Sequence, residues 1–322
     1  AGRDVVGALV ADAPHDWHSG HQYVMRLPSP CPRASIIEST WGTGAALAAL
    51  AGCSAFSTGD TRGHVLTGRN YDFKNDTSAM LVHCRPTGGY ESVATAALDN
   101  IGMNAPEDEK RAALANIAAP FICLDGLNEK GVSIAVLTLD SEPTFQHTGK
   151  PVIATTLAIR LVLDRAATTQ EAVDILKQYD MMASSGRDYH FYINDASGDG
   201  RAVEYDCNSS TRELVDTPIR SITNFFAMYR DKVKPHQHND PYGHGRERYD
   251  SIEAVLTAAG NSATEETAWQ AVKASSQEPK EGDITSNTQW SIVYDNTELT
   301  AGIALRRDWD SIIHYDLKAE IR

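Results

Sequence analysis

The sequence predicts an α+β fold in which antiparallel sheets and helices form separate layers. Strand-like and helix-like segments come in blocks, in the order strands, helices, strands, helices, strands, and do not alternate as they do in βαβ proteins. Hydrophobic residues make up 42% of the 322 residues, which is enough to form a sizeable core. A helical pair near the middle of the chain is long enough to cover one face of a sheet.

The predicted sheet of the first half contains a hairpin. Two β-rich runs, Cys53–Phe56 and His64–Thr67, flank a turn at 62–64, and a hairpin folds such runs side by side. This pairing would bring Cys53, the first residue of the hairpin, next to Arg69 and Asp72. The other strands that we predict in this half are rich in apolar and β-branched residues and lie at 23–27, 80–83, 121–124 and 132–138.

The helical pair follows these strands. Apolar residues recur at three-to-four spacing over 154–167, and Arg165 near the end suits the helix dipole. A second helix is predicted over 170–178, with Thr169 as its N-cap. Asp125–Gly131, further upstream, is predicted to be a turn.

The second half repeats the block order. Short strands are predicted at 189–194, 201–205 and 221–225, with a hairpin loop at 195–200. Helices at 249–259 and 265–274 come next. The chain then closes with the strands 289–295 and 298–305.

Composition excludes several classes of function. The formal net charge of −14 argues against nucleic acid and against anionic membranes as partners. No run of eighteen apolar residues occurs, so we expect no membrane span. The five cysteines are odd in number and form no C-x-x-C pair, which supports neither a disulfide framework nor a zinc ribbon. The chain begins at Ala1, and we expect a removed signal peptide or initiator methionine, which leaves cytoplasm and secretion both open.

Cys53 is the candidate nucleophile. A thiolate is the reactive form of cysteine, and a nearby cation such as Arg69 lowers the pKa of a thiol. Two other readings compete. Leu50-Ala51-Gly52-Cys53 is similar to a lipoprotein cleavage box, which would make the protein a lipid-anchored binding protein modified at Cys53. A papain-like protease would use Cys53 with a distant histidine and Asn224, but it gives the segment from Arg69 to Asp72 no role.

The chain resembles the choloylglycine hydrolase and penicillin V acylase family of N-terminal nucleophile (Ntn) hydrolases, whose relatives include acid ceramidase-like and isopenicillin N acyltransferase-like enzymes. The resemblance rests on Cys53 followed by Gly68-Arg69-Asn70-Tyr71-Asp72 at the family's spacing. Weaker matches follow in the family's order, and they are Asn128-Glu129-Lys130-Gly131, Thr223-Asn224, Arg248-Tyr249 and the closing strand 290–295.

The resemblance implies a four-layer αββα sandwich with two packed antiparallel sheets. It implies that residues 1–52 are a propeptide or small α chain and that residues 53–322 form the catalytic domain, released by autocatalytic cleavage between Gly52 and Cys53. The free α-amine of Cys53 would then serve as the base for its own thiol.

The site residues carried over from the family are Cys53 as nucleophile, Asp72 to hold the amine, Asn224 for the oxyanion, and Arg69 and Arg248 for charge balance. Thr138 stands where bile-salt hydrolases have Asn and penicillin V acylases have Tyr, which weakens transfer of either specificity. The implied reaction is hydrolysis of a linear amide through an acyl-enzyme, with acyl transfer to an amine as the alternative.

The expected substrate is a small N-acyl amide, and no cofactor is expected. Homo-oligomer formation and continued binding of the excised segment stay open. A histidine-rich loop also admits a metal site, although an ordinary polar loop explains it better; its candidate ligands are His236, His238, Asp240 and His244. An apolar acyl pocket is predicted from six aromatic residues near the motifs, which are Phe56, Tyr71, Phe73, Tyr189, Phe225 and Phe226.

Overall fold

The computed structural model describes residues 3–10, 21–27, 52–73, 79–97, 117–237, 240–279 and 287–320. The strands of these residues are β1 (Arg3–Val10), β2 (His21–Leu27), β3 (Cys53–Gly59), β4 (Val65–Phe73), β5 (Ala79–Cys84), β6 (Ser92–Ala97), β7 (Cys123–Asn128), β8 (Ser133–Leu139), β9 (Val152–Ala154), β10 (Asp180–Met182), β11 (Asp188–Asn194), β12 (Arg201–Tyr205), β13 (Leu214–Pro218), β14 (Ser221–Ile222), β15 (Asn287–Asp295), β16 (Thr300–Leu305) and β17 (Ile313–Asp316).

The α-helices are α1 (Thr155–Arg165), α2 (Thr169–Leu176), α3 (Arg246–Ala259), α4 (Glu265–Ser275) and α5 (Leu317–Glu320). Short 3₁₀ segments lie at Ala119–Phe121, Ser184–Gly186, Ala227–Lys232 and Gly260–Ser262. No helix of the described ranges is long and apolar enough to cross a membrane.

Two antiparallel sheets form the centre of the molecule. One has the strand order β13-β12-β11-β8-β7-β6-β5-β1-β2, and the other has the order β14-β3-β4-β15-β16-β17. Polar contacts join the facing surfaces: Thr67 Oγ1 lies 3.0 Å from Ser133 Oγ, and Ser57 Oγ lies 2.8 Å from the Tyr192 hydroxyl. A separate pair, β9 and β10, is parallel.

Helices cover both outer faces. Helix α1 packs on β7 and β8, whereas α3 and α4 pack together on β3, β4 and β15. Alternation along β3 explains how one strand serves two layers, because Ala55 belongs to the core between the sheets and Phe56 belongs to the core under α3 and α4. The result is the α+β, four-layer αββα sandwich with two packed antiparallel sheets that was predicted.

The predicted hairpin is confirmed. Strands β3 and β4 are antiparallel, with Cys53 opposite Tyr71 and Ala55 opposite Arg69. Both predicted helical pairs also form, with ends within a few residues of the predicted ones. The sequence of 104–118 predicts an exposed loop or a short helix, and most of this segment lies outside the described residues.

Three local predictions were wrong. The N-cap of α2 is Thr168, whose side chain accepts the Glu171 N–H at 3.1 Å, while the Thr169 hydroxyl donates to the Asp199 carbonyl. Asp125 to Asn128 continue strand β7, so the turn begins only at Glu129. The strand predicted over 221–225 ends at Ile222, which leaves the next residues outside the ladder.

Candidate active site

Cys53 is the first residue of β3 and is only 2% exposed. Its side chain belongs to the core between the two sheets. Arg69 lies on the neighbouring strand two residue pairs further along, so the two side chains are diagonal neighbours on one face. Such neighbours are roughly 7–8 Å apart at the backbone, which a long side chain can span.

Both sides of the peptide bond before Cys53 are held. The Cys53 N–H donates to Asn224 Oδ1 at 2.7 Å, and the Gly52 carbonyl oxygen accepts the backbone N–H of Asp72 at 2.8 Å. The structure therefore places the nitrogen and the carbonyl of the predicted cleavage bond each against a separate residue of the predicted site.

Asn224 is completely buried and uses both ends of its amide. Its Nδ2 donates to the carbonyl and the hydroxyl of Thr138, at 2.9 and 3.0 Å. Its Oδ1 accepts a second hydrogen bond, from Arg248 Nη2 at 2.8 Å. Arg248 Nη1 donates to the Cys53 carbonyl, so one guanidinium connects the nucleophile's backbone to the amide that orients it.

The Arg248 side chain depends on a glycine at the start of α3. Gly245 has a φ of +84°, a conformation that glycine adopts without cost. A Cβ at this position would lie 2.2 Å from Arg248 Nη2, so a side chain there would displace the guanidinium.

Asp72 faces the helical side of the six-stranded sheet and is completely buried. Its carboxylate accepts the Thr288 hydroxyl at 2.6 Å and Gln277 Nε2 at 2.5 Å, and Arg248 Nη1 lies 3.9 Å away. Burial raises the pKa of the Asp72 carboxyl above its usual value, and Arg248 is the main opposing influence. That Asp72 holds the Cys53 nitrogen stays a prediction; in this structure the Cys53 N–H donates to Asn224 Oδ1.

Arg69 forms its ion pair with Asp125 of the facing sheet, not with Asp72 of its own strand. The Arg69 Nε lies 2.9 Å from Asp125 Oδ2, and Nη2 donates to the Val136 carbonyl at 3.0 Å. The reason is strand geometry: residues three positions apart on a strand point to opposite faces, so Arg69 faces the other sheet and Asp72 faces the helices.

The electrostatics of Cys53 also differ from the sequence expectation. Burial raises the pKa of the Cys53 thiol; Arg69 provides the largest opposing effect, and Asp72 adds to the increase. The cation is present as expected, but desolvation outweighs it. In the uncleaved chain the thiol therefore stays protonated at neutral pH, and a base is needed to activate it.

Sequence reasoning missed Asp125, Gln277 and Thr288 as members of the site. Asp125 had a signal, since a carboxylate inside an apolar run is rarely buried without a cation. Gln277 and Thr288 had none, because Gln277 reaches Asp72 from the segment after α4 and Thr288 reaches it through the pairing of β15 with β4.

The acyl pocket stays a prediction, and Phe56 lies on the opposite face of the sheet from Cys53. Phe56 packs under α3 and α4, and Phe225 and Phe226 are completely buried. Tyr71 stacks on Trp290 with ring centroids 4.1 Å apart.

In the histidine-rich loop, His244 Nδ1 lies 2.7 Å from Asp140 Oδ2, and His238 is outside the described residues. The described part of the chain contains no group of three potential metal ligands.

Residues 53–225 match the model of the family of linear amide C-N hydrolases, choloylglycine hydrolase family. The chain belongs to this family. It is therefore an amidohydrolase of linear C–N bonds with an Ntn-hydrolase fold. No curated protein matches the chain significantly.

Solved structures agree on the fold of this choloylglycine hydrolase family member. Two variants of the conjugated bile acid hydrolase from Clostridium perfringens superpose with a TM-score of 0.60 at 13% identity, over 83% of this chain and 93% of theirs. Penicillin V acylase from Agrobacterium tumefaciens superposes with a TM-score of 0.59 at 18% identity, over 82% and 86% of the two chains.

Proposed function

We propose that this amidohydrolase cleaves its own Gly52–Cys53 bond and then hydrolyses small N-acyl amides through an acyl-enzyme on Cys53. The observation that carries the proposal is the arrangement around that bond, with the Gly52 oxygen on the Asp72 N–H and the Cys53 nitrogen on Asn224 Oδ1. The first contact suits an oxyanion, and the second suits a leaving amine.

Self-cleavage would begin with attack of the Cys53 sulfur on the Gly52 carbonyl carbon. A C–S bond forms, the C–N bond breaks, and the thiol proton ends on the nitrogen of Cys53. Water then cleaves the thioester and restores the thiol. The Asp72 N–H would stabilise the oxyanion of the first step, and one such donor is worth about 3 kcal/mol in comparable sites.

After cleavage, the free amine of Cys53 would act as the general base. An α-amine has an unperturbed pKa of about 8, so it can take the thiol proton near neutral pH. Asn224 Oδ1 would orient this amine, because it already accepts the hydrogen of the same nitrogen in the uncleaved chain.

The charges of the site balance in this scheme. Arg69 and Arg248 carry two positive charges, and Asp72 and Asp125 carry two negative ones. Transfer of a proton from thiol to amine creates one ammonium and one thiolate, so the net charge of the buried site stays at zero. This balance matters, since an uncompensated charge in a buried site is strongly unfavourable.

Hydrolysis of the substrate amide would use the same nucleophile that cleaves the Gly52–Cys53 bond. Cys53 attacks the amide carbonyl, the Asn224 backbone N–H would stabilise the oxyanion while its side chain is held by Thr138, and the amine departs with the thiol proton. Water releases the acid; if an amine takes the place of water, the same acyl-enzyme gives an acyltransferase. The lipid-anchored alternative fits less well, because a diacylglycerol on Cys53 would have to occupy a core position that is 2% exposed.

Residues 1–52 would be the excised propeptide or α chain, and we propose that it stays bound after cleavage. Its strand β1 pairs with β5, and β2 pairs with β1 at the edge of the nine-stranded sheet. Backbone pairing of this length does not depend on the covalent bond at position 52.

Intact mass and turnover together test this function. The purified wild type should yield fragments of 52 and 270 residues, and Cys53→Ala should remain one chain. The wild type should release acid from at least one member of a panel of N-acyl amino acids, bile-acid conjugates, penicillin V and N-acyl amines. Equal turnover by Cys53→Ala, or full activity of an unprocessed chain, would contradict the proposal.

A further inference from the structure

Arg69 is the cation with the largest favourable influence on the Cys53 thiolate, so its orientation matters for the reaction. The side chain is 1% exposed and crosses from β4 to the opposite sheet. A flexible guanidinium in this position needs fixed partners, because its long side chain can otherwise adopt many rotamers.

Asp125 supplies the fixed partner. This residue of β7 is completely buried, and its Oδ2 lies 2.9 Å from Arg69 Nε. Two aromatic donors from β15 hold the same carboxylate: the indole N–H of Trp290 reaches Oδ2 at 3.1 Å, and the Tyr294 hydroxyl reaches Oδ1 at 2.7 Å. The carboxylate thus has both oxygens occupied by groups that have little rotational freedom.

The guanidinium is bound along one edge only. Nε and Nη2 lie on the same edge of the planar group, and they meet Asp125 and the carbonyls of Val136 and Leu124. Nη1, on the other edge, is buried without a hydrogen-bond partner among the described residues, whereas Nε, which also lacks hydrogen-bond geometry, has the Asp125 carboxylate 2.9 Å away as its ion-pair partner. An unpaired buried donor is costly, so an ion pair with only a structural role would be expected to satisfy it.

We propose that Asp125 is a positioning residue that aims Arg69, so that the unpaired Nη1 faces Cys53 and the reacting carbonyl. The proposal rests on the function proposed above. The diagonal register of Cys53 and Arg69 on the inner face of the hairpin gives Nη1 the necessary reach. Trp290 and Tyr294 act one step further out, by fixing the carboxylate.

The test compares Asp125→Asn, Arg69→Gln and the double variant, using the panel substrate that the wild type turns over best. Asp125→Asn keeps the size of the side chain but removes the charge that fixes Arg69. We expect kcat to fall about 100-fold with KM changed less than about 3-fold, since Nη1 acts on the transition state and not on substrate binding. In the Arg69→Gln background, Asp125→Asn should lower kcat by less than about 3-fold, because its effect passes through Arg69.

Thermal stability provides the second readout. Asp125→Asn should lower the Tm, since it leaves a buried cation unpaired, and the double variant should regain part of that loss. Asp180→Asn is the matched control: Asp180 is a buried carboxylate of β10 that accepts N–H and O–H groups of the loop at 148–150. It should lower the Tm and leave kcat within about 2-fold.

The proposal fails if Asp125→Asn keeps kcat within about 3-fold of the wild type, or if the two single losses multiply in the double variant. Should Asp125→Asn not fold, Tyr294→Phe removes one hydrogen bond to the carboxylate without leaving a charge unpaired. A several-fold loss of kcat at unchanged KM then supports the proposal, and unchanged kcat refutes it. A wild type that is neither cleaved nor dependent on Cys53 would instead refute the proposed function.

Discussion

Gly52 has a close approach that makes self-cleavage sensitive to a single methyl group. A Cβ at position 52 would lie 2.0 Å from Gln277 Nε2 and 3.0 Å from Asp72 Oδ2. The Gln277 amide would have to retreat by more than about 1 Å to reach an ordinary contact distance. That movement would break its 2.5 Å hydrogen bond to the Asp72 carboxylate.

The magnitude follows from this one bond. A hydrogen bond to a charged group contributes roughly 1.5–3 kcal/mol. Gly52→Ala would lose the bond between Gln277 and the Asp72 carboxylate, and this bond helps to fix the residue whose backbone N–H contacts the Gly52 oxygen. If the full bond energy is lost in the transition state, the cleavage rate should fall about 10- to 150-fold. The protein should still fold, because the clash involves the end of one flexible side chain.

The assay is intact mass spectrometry of the freshly purified protein over time, which separates the uncleaved chain from the fragments. Gly59→Ala is the matched control, since Gly59 lies at the far end of β3, the strand that follows Gly52, and its Cβ would meet only the His64 carbonyl, at 3.9 Å. The control should be cleaved at the wild-type rate.

A double variant tests the cause. Gln277→Ala removes the atom that clashes, so Gly52→Ala should slow cleavage by less than about 3-fold in that background. Cleavage of Gly52→Ala at the wild-type rate would refute the role of this contact. An equal loss in both backgrounds would show that a methyl group at position 52 acts by some other route.

Three further outcomes are expected. Arg248→Lys should lower kcat at least about 10-fold, because an ammonium cannot bridge the Cys53 carbonyl and Asn224 in the way a planar guanidinium does; steady-state kinetics of the cleaved protein measure this, and unchanged kcat would contradict it. Thr168→Ala should lower the free energy of unfolding by about 1 kcal/mol without a change in kcat, whereas no loss in urea denaturation would rule out Thr168 as the cap. Stability should fall as the pH rises above about 9, because burial raises the pKa of several thiols and phenol hydroxyls, which therefore ionise at lower pH in the unfolded chain than in the folded protein. The groups concerned are Cys53, Cys84, Cys123, Tyr192, Tyr205 and Tyr294. A flat Tm between pH 8 and about 10.5 would refute this prediction.

The linear sequence was sufficient for the fold class, because block order and hydrophobic periodicity are local properties. The same holds for the hairpin that joins Cys53 to Arg69, where a turn at Gly63 separates two β-rich runs. Strand β13 is only partly buried and shows no clean alternation, and the pattern did not reveal it. The N-cap of α2 was displaced by one residue, since two adjacent threonines have the same local preference and only the hydrogen bonds distinguish them.

The sequence by itself determined which chemical groups are available: a cysteine after a glycine, two arginines, a carboxylate and an asparagine in a fixed order. Only the tertiary structure decided how they are paired. Arg69 binds Asp125 of the facing sheet, and Asp72 binds Thr288 and Gln277 more than 200 positions along the chain. The alternation of side chains along a strand predicts which face of the sheet a side chain occupies. The residue that it contacts on that face depends on how the sheets and helices pack.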